Sequence, residues 1–152
     1  MIESVPPWYS PIKPKPEYQN DRAIALWDVP LFAESTEVRS NRIDARIEDK
    51  KEKRVILLEM SCPWLENREE KQAEKTAKYA PLRWELRKRY PDYEVKQYNI
   101  IIDVLGGYSQ ELFDAVKELL GVKKAKDVLL RMQKSIICGS LHIARTFKIQ
   151  TS

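Results

Sequence analysis

The chain has 152 residues, 43% of them hydrophobic and 33% charged, with a net charge of +4. That length suits one domain with a real core, and the mild positive excess is compatible with nucleic acid without requiring it. Two cysteines (Cys62, Cys138), one histidine (His142) and no Cys-x-x-Cys pair argue against a structural zinc site. With no apolar run long enough for a bilayer and no signal peptide, the expectation is no membrane partner and reducing surroundings, nuclear or cytoplasmic.

Residues 1–20 carry Pro6, Pro7, Pro11, Pro14 and Pro16 beside Trp8, Tyr9 and Tyr18. Proline at that density excludes helix and reads as an extended arm packed on the domain, or a linker from a preceding one. Residues 21–152 read as a single domain. Ala23 to Val29 is a predicted strand, stopped by Pro30. Val38 to Glu48 and Arg54 to Ser61 read as a hairpin around the charged turn Asp49-Lys50-Lys51-Glu52-Lys53. A helix follows from near Asn67, where Asn67 and Glu70 make a capping pair, and Pro81 should break it near Ala80. Tyr93 to Asp103 is a buried strand closed by Gly106-Gly107. Ser109 caps a helix to about Leu120 that Gly121 stops. A last helix runs from about Lys124 to Lys148, with Val128, Leu129, Met132, Ile136, Ile143 and Phe147 as its core stripe. His142 falls in this helix as a partly buried or surface residue. Three strands, a helix, a strand and two helices imply a mixed central sheet with helices on both faces.

The hairpin carries the chemistry. Folded about residues 51 and 52, it sets Asp44 opposite Glu59. Opposed side chains lie roughly 4.5–5.5 Å apart at Cβ, and like charges there repel. Glu59 also interrupts the apolar run Val55-Ile56-Leu57-Leu58, where an unpaired carboxylate costs several kcal/mol. A divalent cation or a nearby lysine or arginine must offset the pair. On the following helix Lys71, Lys75, Lys78 and Leu82 share a stripe, with Tyr79 near the same face. Folded back over the sheet, the helix could aim a lysine at the acids, although a solvated face explains the same spacing.

Three segments add a resemblance: Arg42-Ile43-Asp44, then Val55-Ile56-Leu57-Leu58-Glu59-Met60-Ser61-Cys62-Pro63, then Glu74-Lys75-Thr76-Ala77-Lys78-Tyr79. Asp103-Val104-Leu105-Gly106-Gly107, Gln133-Lys134 and Ile143-Ala144-Arg145 extend it over roughly residues 40 to 148. Together they resemble the restriction-like endonuclease domain of non-LTR retrotransposons, a branch of the PD-(D/E)XK nuclease superfamily. Ile43 replaces the proline of the first motif. Ser61 stands where many superfamily nucleases place a lysine, which in this branch migrates to the helix.

The resemblance implies an α/β, restriction-endonuclease-like fold that nicks DNA with Mg²⁺ or Mn²⁺, providing the end that primes reverse transcription. Asp44 and Glu59 would hold the metal. Lys75 would be the catalytic lysine, with Lys78 as its fallback and Tyr79 in support. Arg39, Arg42 and Arg46, with the helix end Arg87, Lys88 and Arg89, would grip phosphates. The partner would be DNA, and RNA through a larger retroelement complex. The alternatives are a catalytically silent nucleic-acid-binding module of the same fold, or a protein-interaction domain using the proline-rich arm.

Overall fold

The computed structural model describes residues 17–29, 31, 42–64 and 67–151. In chain order they form β1 (Glu17–Gln19), β2 (Ala23–Trp27), β3 (Ala45–Asp49), β4 (Arg54–Ser61), α1 (Arg68–Lys78), α2 (Ala80–Arg89), β5 (Glu94–Ile101), α3 (Gln110–Leu120) and α4 (Val122–Thr151). The strands make a five-stranded mixed sheet in sequential order, flanked by helices. β1 to β4 are antiparallel neighbours. β5 runs parallel to β4: Glu94 N–H donates to Lys53 O and Ile102 N–H to Ser61 O, at one constant offset in sequence. The chain groups into two compact units, one of residues up to Glu59 with Lys75–Tyr98, the other of Met60–Glu74 with residues from Asn99 onward.

In the first unit, Val55 and Leu57 of β4 and Val95 of β5 pack on Tyr79, Leu82 and Leu86, with Leu31 and Ile43 completing the cluster. Within the second, Ile102 packs with Leu112 and Val116 of α3 and Ala125 and Leu129 of α4. Ser109 caps α3 as expected, its hydroxyl accepting from Leu112 N–H at 3.2 Å, and Gly121 ends it at φ 82°, where a side chain would be strained.

Two expectations need correction, on the first strand and on the stripe of α4. Glu17–Gln19, assigned to the arm, is a strand paired with β2. Its turn is stapled by Asn20, whose Oδ1 accepts from Arg22 N–H at 2.9 Å and Ala23 N–H at 2.8 Å. Among the described residues β3 begins at Ala45, with Asp44 N–H bonding the Glu59 carboxylate, and the expected start at Val38 lies outside the described residues. As expected, Pro81 breaks the long helix near Ala80, dividing it into α1 and α2. The core stripe of α4 ends early: Ile143 is 70% exposed, and residues 141–146 all face solvent. At about 1.5 Å per residue, thirty residues of α4 far outrun the eleven of α3 that cover it. His142 is exposed there. Phe147 and the wider proline-rich arm lie outside the described side chains.

The β3–β4 turn is held by Asp49, a buried carboxylate. Its Oδ1 accepts from Lys51 and Glu52 N–H, both at 3.1 Å, and its Oδ2 faces Arg54 and Arg22. Burial alone would raise its pKa, but the Glu52 and Lys51 amides and the Arg22 and Arg54 guanidinium groups outweigh burial and hold it below 3.8. A carboxyl depressed in the folded state contributes stability above its unfolded pKa and loses it as pH falls through the folded one. Melting temperature is therefore expected to fall as the pH drops below about 4. Asp49→Asn should lose about 1–3 kcal/mol at neutral pH and show a flatter acid limb. Parallel acid limbs in melts of the two proteins would contradict this.

Candidate functional site

All of the central site residues belong to the first unit. The hairpin register sets Ala45 against Leu58 and Asp49 against Arg54, so the next position along brings Asp44 to Glu59, as the sequence implies. Glu59 is 4% exposed, on the strand face shared by Val55 and Leu57. Its Oε1 accepts from Lys75 Nζ at 2.8 Å and its Oε2 from the Asp44 amide at 3.3 Å. The counter-charge to Glu59 is thus Lys75, from the last turns of α1. Lys78 does not share this position. It is exposed, with Nζ 5.0 Å from the centroid of the Tyr79 ring.

Tyr79 is the hinge residue between α1 and α2 and is buried. Its hydroxyl donates to Arg42 O at 3.2 Å, tying the helix break to the segment that leads into Asp44. Burial first, then the Glu59 and Asp44 charges, push its pKa up to about 12. At neutral pH it is a neutral donor and not a base.

The break at Pro81 frees carbonyls at the end of α1, because proline has no N–H to return to Ala77. Side chains hold the two carbonyls just before it. Arg83 Nη1 donates to Thr76 O at 2.8 Å, and Gln97 Nε2 of β5 donates to Lys75 O at 3.0 Å. Arg83 also bonds Gln97 Oε1. This clamp fixes the backbone that carries Lys75. In the sequence Arg83 reads only as part of a basic helix end, and Gln97 stands out in no motif. The signal was there: an amide on the same face of β5 as Val95, in a buried strand, calls for a partner.

The predicted phosphate contacts divide. Arg39 lies outside the described residues. Arg42 is exposed, but its Nε pairs with Asp28 Oδ1 at 2.8 Å and bonds Asp28 O at 3.1 Å. The Arg46 side chain is only 11% exposed and faces Glu48 at 3.4 Å, whose Oε1 also accepts from Tyr90 OH at 3.0 Å. Arg46 therefore serves the sheet face rather than an open surface. Arg87 and Lys88 are exposed on α2, and Arg89 reaches Glu85 at 3.6 Å.

Comparison with protein-family models, with curated proteins and with solved structures gave no match. The site therefore rests on its own geometry. Two carboxyl-bearing residues, a lysine and a phenol meet at one end of a hairpin, with the lysine supplied by a helix whose end is clamped by a third strand.

The second unit carries a separate feature, an open apolar groove of about 450 Å³ lined by Met60, Cys62, Ile100, Ile102, Met132 and Ile136. Beside it, burial and then the Asp103 charge raise the Cys62 thiol pKa, which makes it a poor nucleophile. No described helix is long and apolar enough to cross a membrane.

Proposed function

We propose that this chain is a metal-dependent DNA endonuclease domain that nicks its target, of PD-(D/E)XK restriction-endonuclease-like fold and drawn from a retroelement polyprotein. The observation that supports it is the 2.8 Å contact of Lys75 Nζ with Glu59 Oε1, beside the Asp44 amide. An acid pair and a cation converge where a phosphodiester could be engaged.

The donor chemistry suits Mg²⁺ or Mn²⁺. Magnesium takes hard oxygen ligands and is commonly held by one or two carboxylates, with water and substrate phosphate completing the shell. Asp44 and Glu59 offer that number. A carboxylate has about four lone-pair sites, which the Lys75 and Asp44 bonds to Glu59 do not fill. Among the described residues no group of three or more His, Cys, Asp or Glu side chains is gathered, so an all-protein cage is disfavoured. When bound, the cation would polarise the scissile phosphate and acidify a water.

The chain's own residues then divide the work. Lys75 swings its ammonium from Glu59 toward the charge that develops on the phosphoryl oxygens. Tyr79 keeps its proton and holds the Arg42 carbonyl, and with it the approach of Asp44. Water oxygen bonds to phosphorus and gives up a proton to solvent, the bond from phosphorus to the departing sugar oxygen breaks, and that oxygen takes up a proton from solvent.

The same contact favours a second reading. A lysine spent on neutralising Glu59 is what a catalytically silent nucleic-acid-binding module would retain. A nicking assay on supercoiled plasmid with Mn²⁺ decides. The nuclease reading expects open circles that chelation prevents. No nicking, with DNA affinity falling on a log–log salt plot by about 0.9 per phosphate contacted, would establish the silent module. No nicking and no salt-dependent affinity would remove both readings in favour of a protein-interaction domain.

A further inference from the structure

The feature the catalytic reading leaves unused is Trp84. It sits on α2 in the first unit and is 54% exposed, although tryptophan is usually largely covered. The opposite side of α2 carries the buried Leu82, Glu85 and Leu86, so the indole stands at the middle of the solvent side. Lys88, one turn on, holds Nζ 5.5 Å from the centroid of its ring, and Arg87 is exposed three residues away. A second basic segment of the same unit lies against the chain that leaves α2. Soon after α2 ends, Glu94 N–H donates to Lys53 O, which brings in the β3–β4 turn with its exposed Lys50, Lys51 and Lys53. The acids among these residues are partly engaged: Glu94 pairs with Lys96 at 3.3 Å and Glu52 with Arg22 at 3.9 Å.

We infer that Trp84 is a stacking platform for an unpaired base of a nucleic-acid strand, whose phosphates are held by Arg87, Lys88 and the turn lysines. Charge complementarity selects this occupant. A flat aromatic face bordered by cations matches a base and its flanking phosphates, and every base offers such a face regardless of sequence. A duplex buries its base faces in the stack, so the platform would recognise a single strand, a frayed end or a flap. The inference rests on the nucleic-acid reading of the domain but not on cleavage.

The test measures binding alone. The full chain, in chelator so that no strand is cut, is titrated by fluorescence anisotropy against a labelled oligothymidine and a duplex of the same length. Trp84→Ala is expected to weaken single-strand binding about tenfold, with Trp84→Phe retaining most of it and duplex affinity changing little. Arg87→Ala with Lys88→Ala should weaken both forms and flatten the salt dependence. Unchanged single-strand affinity in Trp84→Ala would overturn the inference, as would an equal loss on both forms. Absence of DNA binding together with Trp84-dependent self-association would replace it with a protein contact. Failure of plasmid nicking leaves these outcomes unaffected, so the two proposals fail separately. Melting temperature of each variant controls for folding, which an exposed position should leave intact.

Discussion

Lys75→Ala is expected to lower plasmid nicking by about 10²–10³-fold and also to destabilise the fold by about 3–5 kcal/mol. Both effects follow from one contact. Lys75 and Glu59 side chains are 18% and 5% exposed, so removing the ammonium leaves a carboxylate nearly out of water without its partner. The expected loss of rate would have a different origin, the missing charge opposite the phosphoryl group that the proposed chemistry places there. The two can be separated. The Lys75→Met, Glu59→Gln double variant removes both charges and should recover most of the stability while remaining inactive. Denaturant melts and nicking rates on the same preparations report each axis. Recovery of nicking along with stability would make Lys75 a structural counter-ion and nothing more. Activity retained in Lys75→Ala but lost in Lys78→Ala would move the chemical role one helical turn onward.

The Asp44→Asn, Glu59→Gln pair should abolish Mn²⁺ binding measured by titration calorimetry. The loss should exceed the about 10–100-fold that follows from altering residues which only support metal ligands. Amides are chosen because they keep shape and hydrogen-bonding capacity while removing the negative charge that a hard cation needs. Glu59→Ala would be a poorer probe, since it leaves Lys75 facing a gap in the core. Unaltered Mn²⁺ affinity in the double amide would place any bound cation elsewhere and end the metal-centred reading of this hairpin.

The hairpin was legible because its turn is unambiguous. Asp49 to Lys53 holds no apolar residue, so the fold-back point and the pairing of Asp44 with Glu59 follow from counting alone. Breaking the helix at Pro81 was legible for an equally local reason, the missing N–H. Choosing between Lys75 and Lys78 was harder, because spacing puts both on one stripe and only the tertiary path of α1 selects Lys75. The first strand was hidden by its setting: five prolines argued for an arm, while the decisive signal was Asn20, whose side chain staples the β1–β2 turn. Arg46 read as a surface cation since alternation shows which face a residue shares but not whether that face is covered. Here it lies directly opposite Leu57, in the middle of a packed sheet. Likewise Ile143 fits the periodic stripe of α4, yet periodicity carries no information on where the covering layer stops.

The clamp at the end of α1 bears on how this site could tolerate insertions and deletions. The rotational phase of Lys75 is set from downstream, by the break at Tyr79 and the hold of Gln97 and Arg83 on the last carbonyls. Residues gained or lost at the start of α1 would lengthen or shorten the far end and leave the lysine in place. A single residue gained or lost between Lys75 and Pro81 would instead rotate it by about 100°, away from Glu59. Length variation is therefore expected to be permissible ahead of the lysine and lethal to the site behind it.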